Sequence, residues 1–344
     1  MKHIVTAAAL LALAAGTANA QSSVTLFGVV DLSVNSITTG SNQTSTLDGA
    51  TGAQQLNSNK LGFRGVEDLG GGMNAGFWLE GALDTDLGAV GGSNGVSATP
   101  AFFNRRSTIS LTSRFGEVRL GRDYNPSNLN QYTEAYGGNG FGGLLYMVLD
   151  GLGSGAKSLV RSNNAVSYFL PGGLGGVYGQ VMVAAGEGFT GQKYTGGRLG
   201  YAAGPLNVSA AFGNTETATP NDYQVFNVGA SYDLGVAKVY GLWDQAEYGN
   251  KKRVTYEVSA SVPLGAHEFR AAYIRATASG AGTDGNDGTK IALEYIHNLS
   301  KRTALYAQFG RQTNEGAATY SLTGSGGVAG QTMTGYGAGV RHTF

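Results

Sequence analysis

Tyr336-Gly-Ala-Gly-Val-Arg-His-Thr-Phe344, the final stretch of the chain, alternates in the manner of a strand and stops on an aromatic residue. A strand in this place needs a partner, because an open edge leaves N–H and C=O groups unpaired. In lipid no water can satisfy those groups, so strands that cross a bilayer close into a cylinder in which the last pairs with the first. A candidate first strand lies at residues 24–34. There Val24, Leu26, Gly28, Val30, Leu32 and Val34 share one face, and Thr25, Phe27, Val29, Asp31, Ser33 and Asn35 share the other. The same period of two recurs at residues 254–262, where Val254, Tyr256, Val258, Ala260 and Val262 oppose Arg253, Thr255, Glu257, Ser259 and Ser261. It recurs again at residues 290–295. Such alternation marks a half-buried strand, a pattern that a soluble sandwich would share.

The connections separate the two architectures. Seven are short: 69–72, 114–116, 171–175, 203–205, 233–235, 263–266 and 298–301. Eight are longer and polar: 38–57, 88–101, 125–159, 187–192, 216–221, 247–251, 280–288 and 314–331. Fifteen connections join sixteen strands, and the even number leaves both ends on the side of the short turns. Short turns on one side and long loops on the other describe an outer-membrane barrel. The expected fold is therefore all-β, a 16-stranded antiparallel transmembrane barrel. Thirteen aromatic residues near expected strand ends, among them Phe77, Tyr168, Tyr201, Tyr232, Tyr295 and Phe344, suit interfacial girdles.

The start of the chain is expected to be a secretory signal. Lys2 and His3 precede an apolar core at residues 4–15, and Ala18-Asn19-Ala20 is an A-x-A cleavage site. That core falls short of the ~20 residues a spanning helix needs. The expected organisation is a signal peptide at 1–20 and one barrel at 21–344. Removal of residues 1–20 takes away Lys2 and leaves 22 Lys+Arg against 23 Asp+Glu, so charge gives no case for nucleic acid. The chain has no cysteine, which excludes disulfides, thiolate metal sites and a Cys nucleophile. Gly is 57 of 344 residues without a Gly-X-Y period, which suits tight turns and close backbone approach rather than collagen.

Residues 125–159 form the longest connection. They carry Tyr132, Tyr136, Phe141, Leu144, Leu145, Tyr146, Met147, Val148 and Leu149, too apolar a set for a solvated loop. The available surface is the barrel interior, so this third long loop is expected to fold inward and narrow the bore; a lid over the outer mouth is the alternative. Before Lys157 its only charges are Glu134 and Asp150. Basic residues gather on strands that would face it. Lys60 and Arg64 share a strand face, and Arg161 leads the strand after the loop. Parity with Asn104, Thr108 and Ser110 turns Arg106 inward and Arg105 outward, unless Arg105 lies near the headgroups or a bulge shifts the register. These residues form either a basic ring or ordinary solvated lumen charge.

Five segments together resemble the Gram-negative general porins, and specifically the trimeric 16-stranded type of the β-proteobacteria. They are Ser23-Val-Thr-Leu-Phe-Gly-Val-Val-Asp31, Leu61-Gly-Phe-Arg-Gly-Val-Glu-Asp-Leu-Gly70, Arg105-Arg-Ser-Thr-Ile-Ser-Leu111, Phe115-Gly-Glu-Val-Arg-Leu-Gly-Arg-Asp123 and Val340-Arg-His-Thr-Phe344. The resemblance implies a third loop folded into an eyelet, with a basic wall of Lys60, Arg64, Arg105 or Arg106, and Arg161 opposite the loop acids Glu134 and Asp150. It also implies an assembly signal at Phe344, a homotrimer, and an outer-membrane bilayer with lipopolysaccharide as the surroundings. The loop lacks the Pro-Glu-Phe-Gly-Gly block of cation-preferring enteric relatives. The balance of basic over acidic eyelet residues resembles anion-selective members. The expected function is a wet pore for passive diffusion of small hydrophilic solutes and anions, with no cofactor. A solute-specific channel with a dedicated binding site is the alternative.

An enzyme is disfavoured. His3 leaves with the signal, and His267, His297 and His342 fall near the short-turn rim without a serine motif beside them. The Asp284-Gly-Asn-Asp287 cluster reads as an exposed loop tip, with weak Ca²⁺ binding as the only conceivable metal chemistry. An adhesive surface protein would give no conductance.

Overall fold

Residues 253–259 reverse the pattern of a soluble strand. Arg253, Thr255, Glu257 and Ser259 are buried, whereas Tyr256 and Val258 are 54% and 64% exposed. Lys290 and Glu294 are likewise buried beside exposed Ile291 and Leu293. An outer face of bare apolar side chains around a polar interior is stable only when the surrounding solvent is itself apolar. This inversion recurs around the whole sheet of the computed structural model, which describes residues 23–50, 52–92, 101–324 and 326–344. The expected signal segment 1–20 lies outside them, as does most of the loop expected at 88–101.

Sixteen strands build the wall: β1 (Ser23–Thr39), β2 (Lys60–Gly70), β3 (Met73–Asp84), β4 (Arg106–Ser113), β5 (Gly116–Tyr124), β6 (Arg161–Phe169), β7 (Val177–Ala184) and β8 (Tyr194–Ala203) come first. They continue as β9 (Leu206–Thr215), β10 (Tyr223–Asp233), β11 (Lys238–Tyr248), β12 (Lys251–Leu264), β13 (His267–Ser279), β14 (Gly288–Asn298), β15 (Thr303–Asn314) and β16 (Thr332–Thr343). Each pairs antiparallel with its neighbours in sequence, and β1 pairs with β16 from Val29↔Thr343 to Thr39↔Met333, which closes the cylinder. Two short strands lie outside this count. Asn42–Asp48 folds back on the upper half of β1, and Ala89–Val90 extends β3.

Closure is sealed at Gly28. Its N–H donates to the carbonyl of Phe344 at 3.0 Å, and the Phe344 N–H donates back at 3.1 Å. The Phe344 ring lies where a Gly28 side chain would be, so glycine is required by the close approach.

One expected loop is a tight turn. The polar stretch 247–251 does not form a long connection: Tyr248 pairs with Lys251 across Gly249-Asn250, and Gly249 takes a φ of 60°. Glu247, Lys251 and Lys252 belong to the strands themselves, with Lys252 Nζ 3.7 Å from Glu247 Oε1. A hairpin that continues past the bilayer into water has no need of apolar residues, so its polarity imitates a loop.

Candidate channel constriction

The connection between β5 and β6, residues 125–160, turns into the barrel. Its neck is clamped by Asn125, whose N–H donates to Val160 O at 3.0 Å, whose Nδ2 donates to Ser158 O at 2.6 Å, and whose Oδ1 accepts from Ser162 Oγ at 2.7 Å. Pro126 then opens the short helix α1 (Pro126–Gln131), where its missing N–H has no helical partner to lose.

From there the loop crosses the inner wall strand by strand. Ser127 meets Tyr194 on β8 at 3.0 Å, and Asn130 Nδ2 donates to Asn227 Oδ1 on β10 at 2.8 Å. Gln131 donates to Asp244 on β11 at 2.7 Å, and Ser259 on β12 accepts from the Ala135 N–H at 3.0 Å. Lys290 on β14 donates to Gly143 O at 3.0 Å, and Gln308 on β15 accepts from the Phe141 N–H at 3.1 Å. The apolar residues of the loop sit between these bonds. Phe141 and Tyr136 pack against Ala272, Ala292 and Met333, while Leu144, Met147 and Val148 pack against Leu242, Ile274 and Ala276. The inner wall of β11–β14 carries apolar residues, Leu242, Ile274 and Ala276, among the polar ones that bond the loop, and the basic residues lie on the opposite side, β2–β6.

On that side Lys60, Arg105, Tyr124 and Arg161 line one cavity with Tyr132, Leu129, Asn139 and Leu145 of the loop. Arg105 and Arg161 are both buried, and both donate to the Tyr124 hydroxyl, Arg105 through Nη2 at 3.0 Å. The Arg161 guanidinium also lies over the Tyr124 ring, 3.9 Å from its centre. Arg105 Nε makes a 2.6 Å ion pair with Glu80. The Lys60 ammonium forms no hydrogen bond or ion pair among the described residues. Arg105 thus faces inward, against the outward direction that parity gave it. The reason is local: β4 begins at Arg106, so Arg105 belongs to the connection and escapes the alternation.

The basic residues separate into two levels. Arg106 and Arg64 lie closer to the short turns, on either side of Trp78, with guanidinium-to-ring distances of 4.5 and 5.2 Å. Arg106 is 3.7 Å from Asp123, which also binds Arg119 at 2.6 Å. The loop acids do not face these cations. Glu134 is buried and accepts from the Gly138 and Leu144 N–H groups at 2.6 and 3.2 Å. Burial holds its carboxyl above the ordinary carboxylate range. Asp150 pairs with Arg253 of β12, a fully buried guanidinium that also donates to Val148 O at 2.9 Å. Phe344 sits at the closing seam, remote from the constriction. Alternation does not single out Glu80, Tyr124 or Arg253. Tyr124 carries no charge and Arg253 sits in an ordinary polar face, so only the fold shows what each one holds.

The family described as Gram-negative porin matches residues 7–317. Over the full length of both chains the sequence is 38% identical to outer membrane porin protein 32 of Delftia acidovorans. It is 29% identical, again over both full lengths, to an outer membrane porin protein of Bordetella pertussis. A solved structure titled anion-selective porin from Comamonas acidovorans superposes with a TM-score of 0.82 at 36% identity, covering 94% of this chain and all of that one. With a closed, inside-out barrel and an inward third loop, the chain belongs to the Gram-negative porin family, as a diffusion channel of the outer membrane.

Proposed function

We propose that this channel prefers anions, and that Lys60, Arg105 and Arg161 at the constriction set the preference. The observation that carries it is the uneven pairing of charge. Three cations gather on the open wall against the single carboxylate of Glu80, while Glu134 and Asp150 are engaged elsewhere. A narrow aqueous section between low-dielectric walls focuses the field of such groups and raises the local concentration of the opposite ion. Guanidinium keeps its charge at any physiological pH and offers a planar fork to carboxylate or phosphate. Two unit charges ~4 Å apart interact by ~1 kcal/mol in water and ~4 kcal/mol at an effective dielectric near 20, enough to bias entry without trapping the ion. The solved relative titled anion-selective supports the same reading.

Transport is passive in this reading and needs no catalytic step. His267 and His297 stack on each other at the short-turn rim, and His267 Nδ1 is 2.8 Å from the Tyr295 hydroxyl. The family resemblance supports a homotrimer in a lipopolysaccharide-containing membrane, an N-terminal signal at 1–20, and an assembly role for Phe344. The test of the preference is the reversal potential across a KCl gradient in a planar bilayer. The sign for chloride supports it, and the sign for potassium overturns it.

A further inference from the structure

We propose that the level below the constriction is a distinct binding step for flat aromatic carboxylates, formed by Arg64, Trp78 and Phe27 with Arg106 behind them. This inference rests on the lumen reading of the basic wall and adds a solute class to it. Arg64 and Lys60 share the inner face of β2, and four residues of strand separate them by about 13 Å, so Arg64 is not part of the Arg105–Tyr124–Arg161 group. Trp78 is the cross-strand partner of Arg64 on β3, and Phe27 of β1 meets the indole edge-on at 5.0 Å. The Arg64 guanidinium lies 5.2 Å from the Trp78 ring centre and 5.5 Å from that of Phe27.

Three features distinguish this group from ordinary lumen charge. Arg64 is exposed and its guanidinium has neither hydrogen bond nor ion pair among the described residues, whereas Arg106 has Asp123 at 3.7 Å. The guanidinium centre lies beside both rings, and its N–H groups, which have no acceptor among the described residues, are available as a fork for a carboxylate. Beside that fork are two half-buried aromatic rings, surface that a chloride or an aliphatic acid leaves unused and that an aromatic ring can meet edge-on. Trp78 is itself fixed, its Nε1 donating to Glu80 Oε2 at 3.1 Å, so the platform is held by the same carboxylate that pairs with Arg105.

The chain has two tryptophans. Trp243 meets the outward Phe226 edge-on at 5.8 Å, so Trp243→Phe leaves Trp78 as the only indole reporter without touching the lumen. In that background, folded in detergent, 4-nitrobenzoate should quench the emission saturably. Benzoate should relieve the quenching at about fivefold lower concentration than cyclohexanecarboxylate, the difference expected of one ring contact. Arg64→Gln should weaken nitrobenzoate quenching about fivefold, and Arg64→Lys, which keeps the charge but loses the planar fork, should weaken it less and leave the preference for benzoate in place. Equal displacement by benzoate and cyclohexanecarboxylate overturns the proposal, as does unchanged quenching in both Arg64 variants. A chloride-signed reversal potential alongside such a failure would leave the anion preference standing and remove only this step.

Discussion

At the scale of single residues, the constriction depends on a phenol as much as on its cations. The Tyr124 hydroxyl accepts from Arg105 and Arg161 together and thereby holds two like charges at one point of the wall. Tyr124→Phe removes that acceptor and keeps the ring beneath Arg161. Hydrogen bonds to charged groups contribute about 1.5–3 kcal/mol, so the two guanidiniums should spread and the chloride-to-potassium permeability ratio should fall severalfold, with the barrel still folded. Arg161→Glu goes further, since it reverses one of the three cations. It should move the reversal potential toward the potassium side, and an unchanged potential would remove Arg161 from the conduction path. The basic wall was visible in the chain because Lys60, Arg64, Arg106 and Arg161 each stand at a polar position of a recognisable strand. The inward turn of Arg105 was not, because alternation has no meaning one residue before a strand starts.

At the scale of elements, the third loop is held by charges that the channel does not use. Arg253 ties Asp150 and the Val148 carbonyl of the loop to β12, and its Nη2 lies 3.6 Å from the buried Asp244 of β11. Arg253→Ala strands Asp244 without its cation and should cost about 3–5 kcal/mol of local stability. The expected readouts are noisier single-channel currents and protease cleavage within residues 125–160, both absent in the parent chain. Glu134 offers a pH test. Burial raises its carboxyl, so its protonated form favours the folded loop. That contribution is complete below the ordinary carboxylate pKa and is lost as pH rises through the raised value. Glu134→Gln keeps an acceptor for Gly138 and Leu144, and should flatten the loss of heat stability between mildly acid and alkaline pH. An unaltered pH profile would show that Glu134 is not the titrating group. The inward direction of this loop was legible in its run of apolar residues. Its landing ground was not, since Leu242, Ile274 and Ala276 sit on faces that alternation assigns to the wet interior and are apolar only because the loop covers them.

At the scale of the whole molecule, closure and sidedness dominate. The sixteen-stranded wall closes because β16 returns to β1, with the Phe344 ring against the bare backbone of Gly28. Gly28→Val forces ring and side chain into the same space, and overpacking of this kind typically costs about 1–3 kcal/mol. The temperature at which the barrel unfolds in detergent should fall measurably, whereas Val258→Leu on the open outer face of β12 should leave it unchanged. The strand number followed from turn chemistry and from the contrast between short and long connections. The one misplaced loop, 247–251, shows the limit of that contrast, because a strand that outruns the bilayer is as polar as a loop.

The central claim is that one face of each strand borders a conducting bore and the other borders lipid. A chain without cysteine allows it to be tested one position at a time. Lys60→Cys and Val258→Cys, each reconstituted in a planar bilayer, can be exposed to a negatively charged methanethiosulfonate while current is recorded. The account predicts a stepwise fall in current for Lys60→Cys and no change for Val258→Cys. A silent Lys60→Cys channel response, or a block at Val258→Cys, would contradict it.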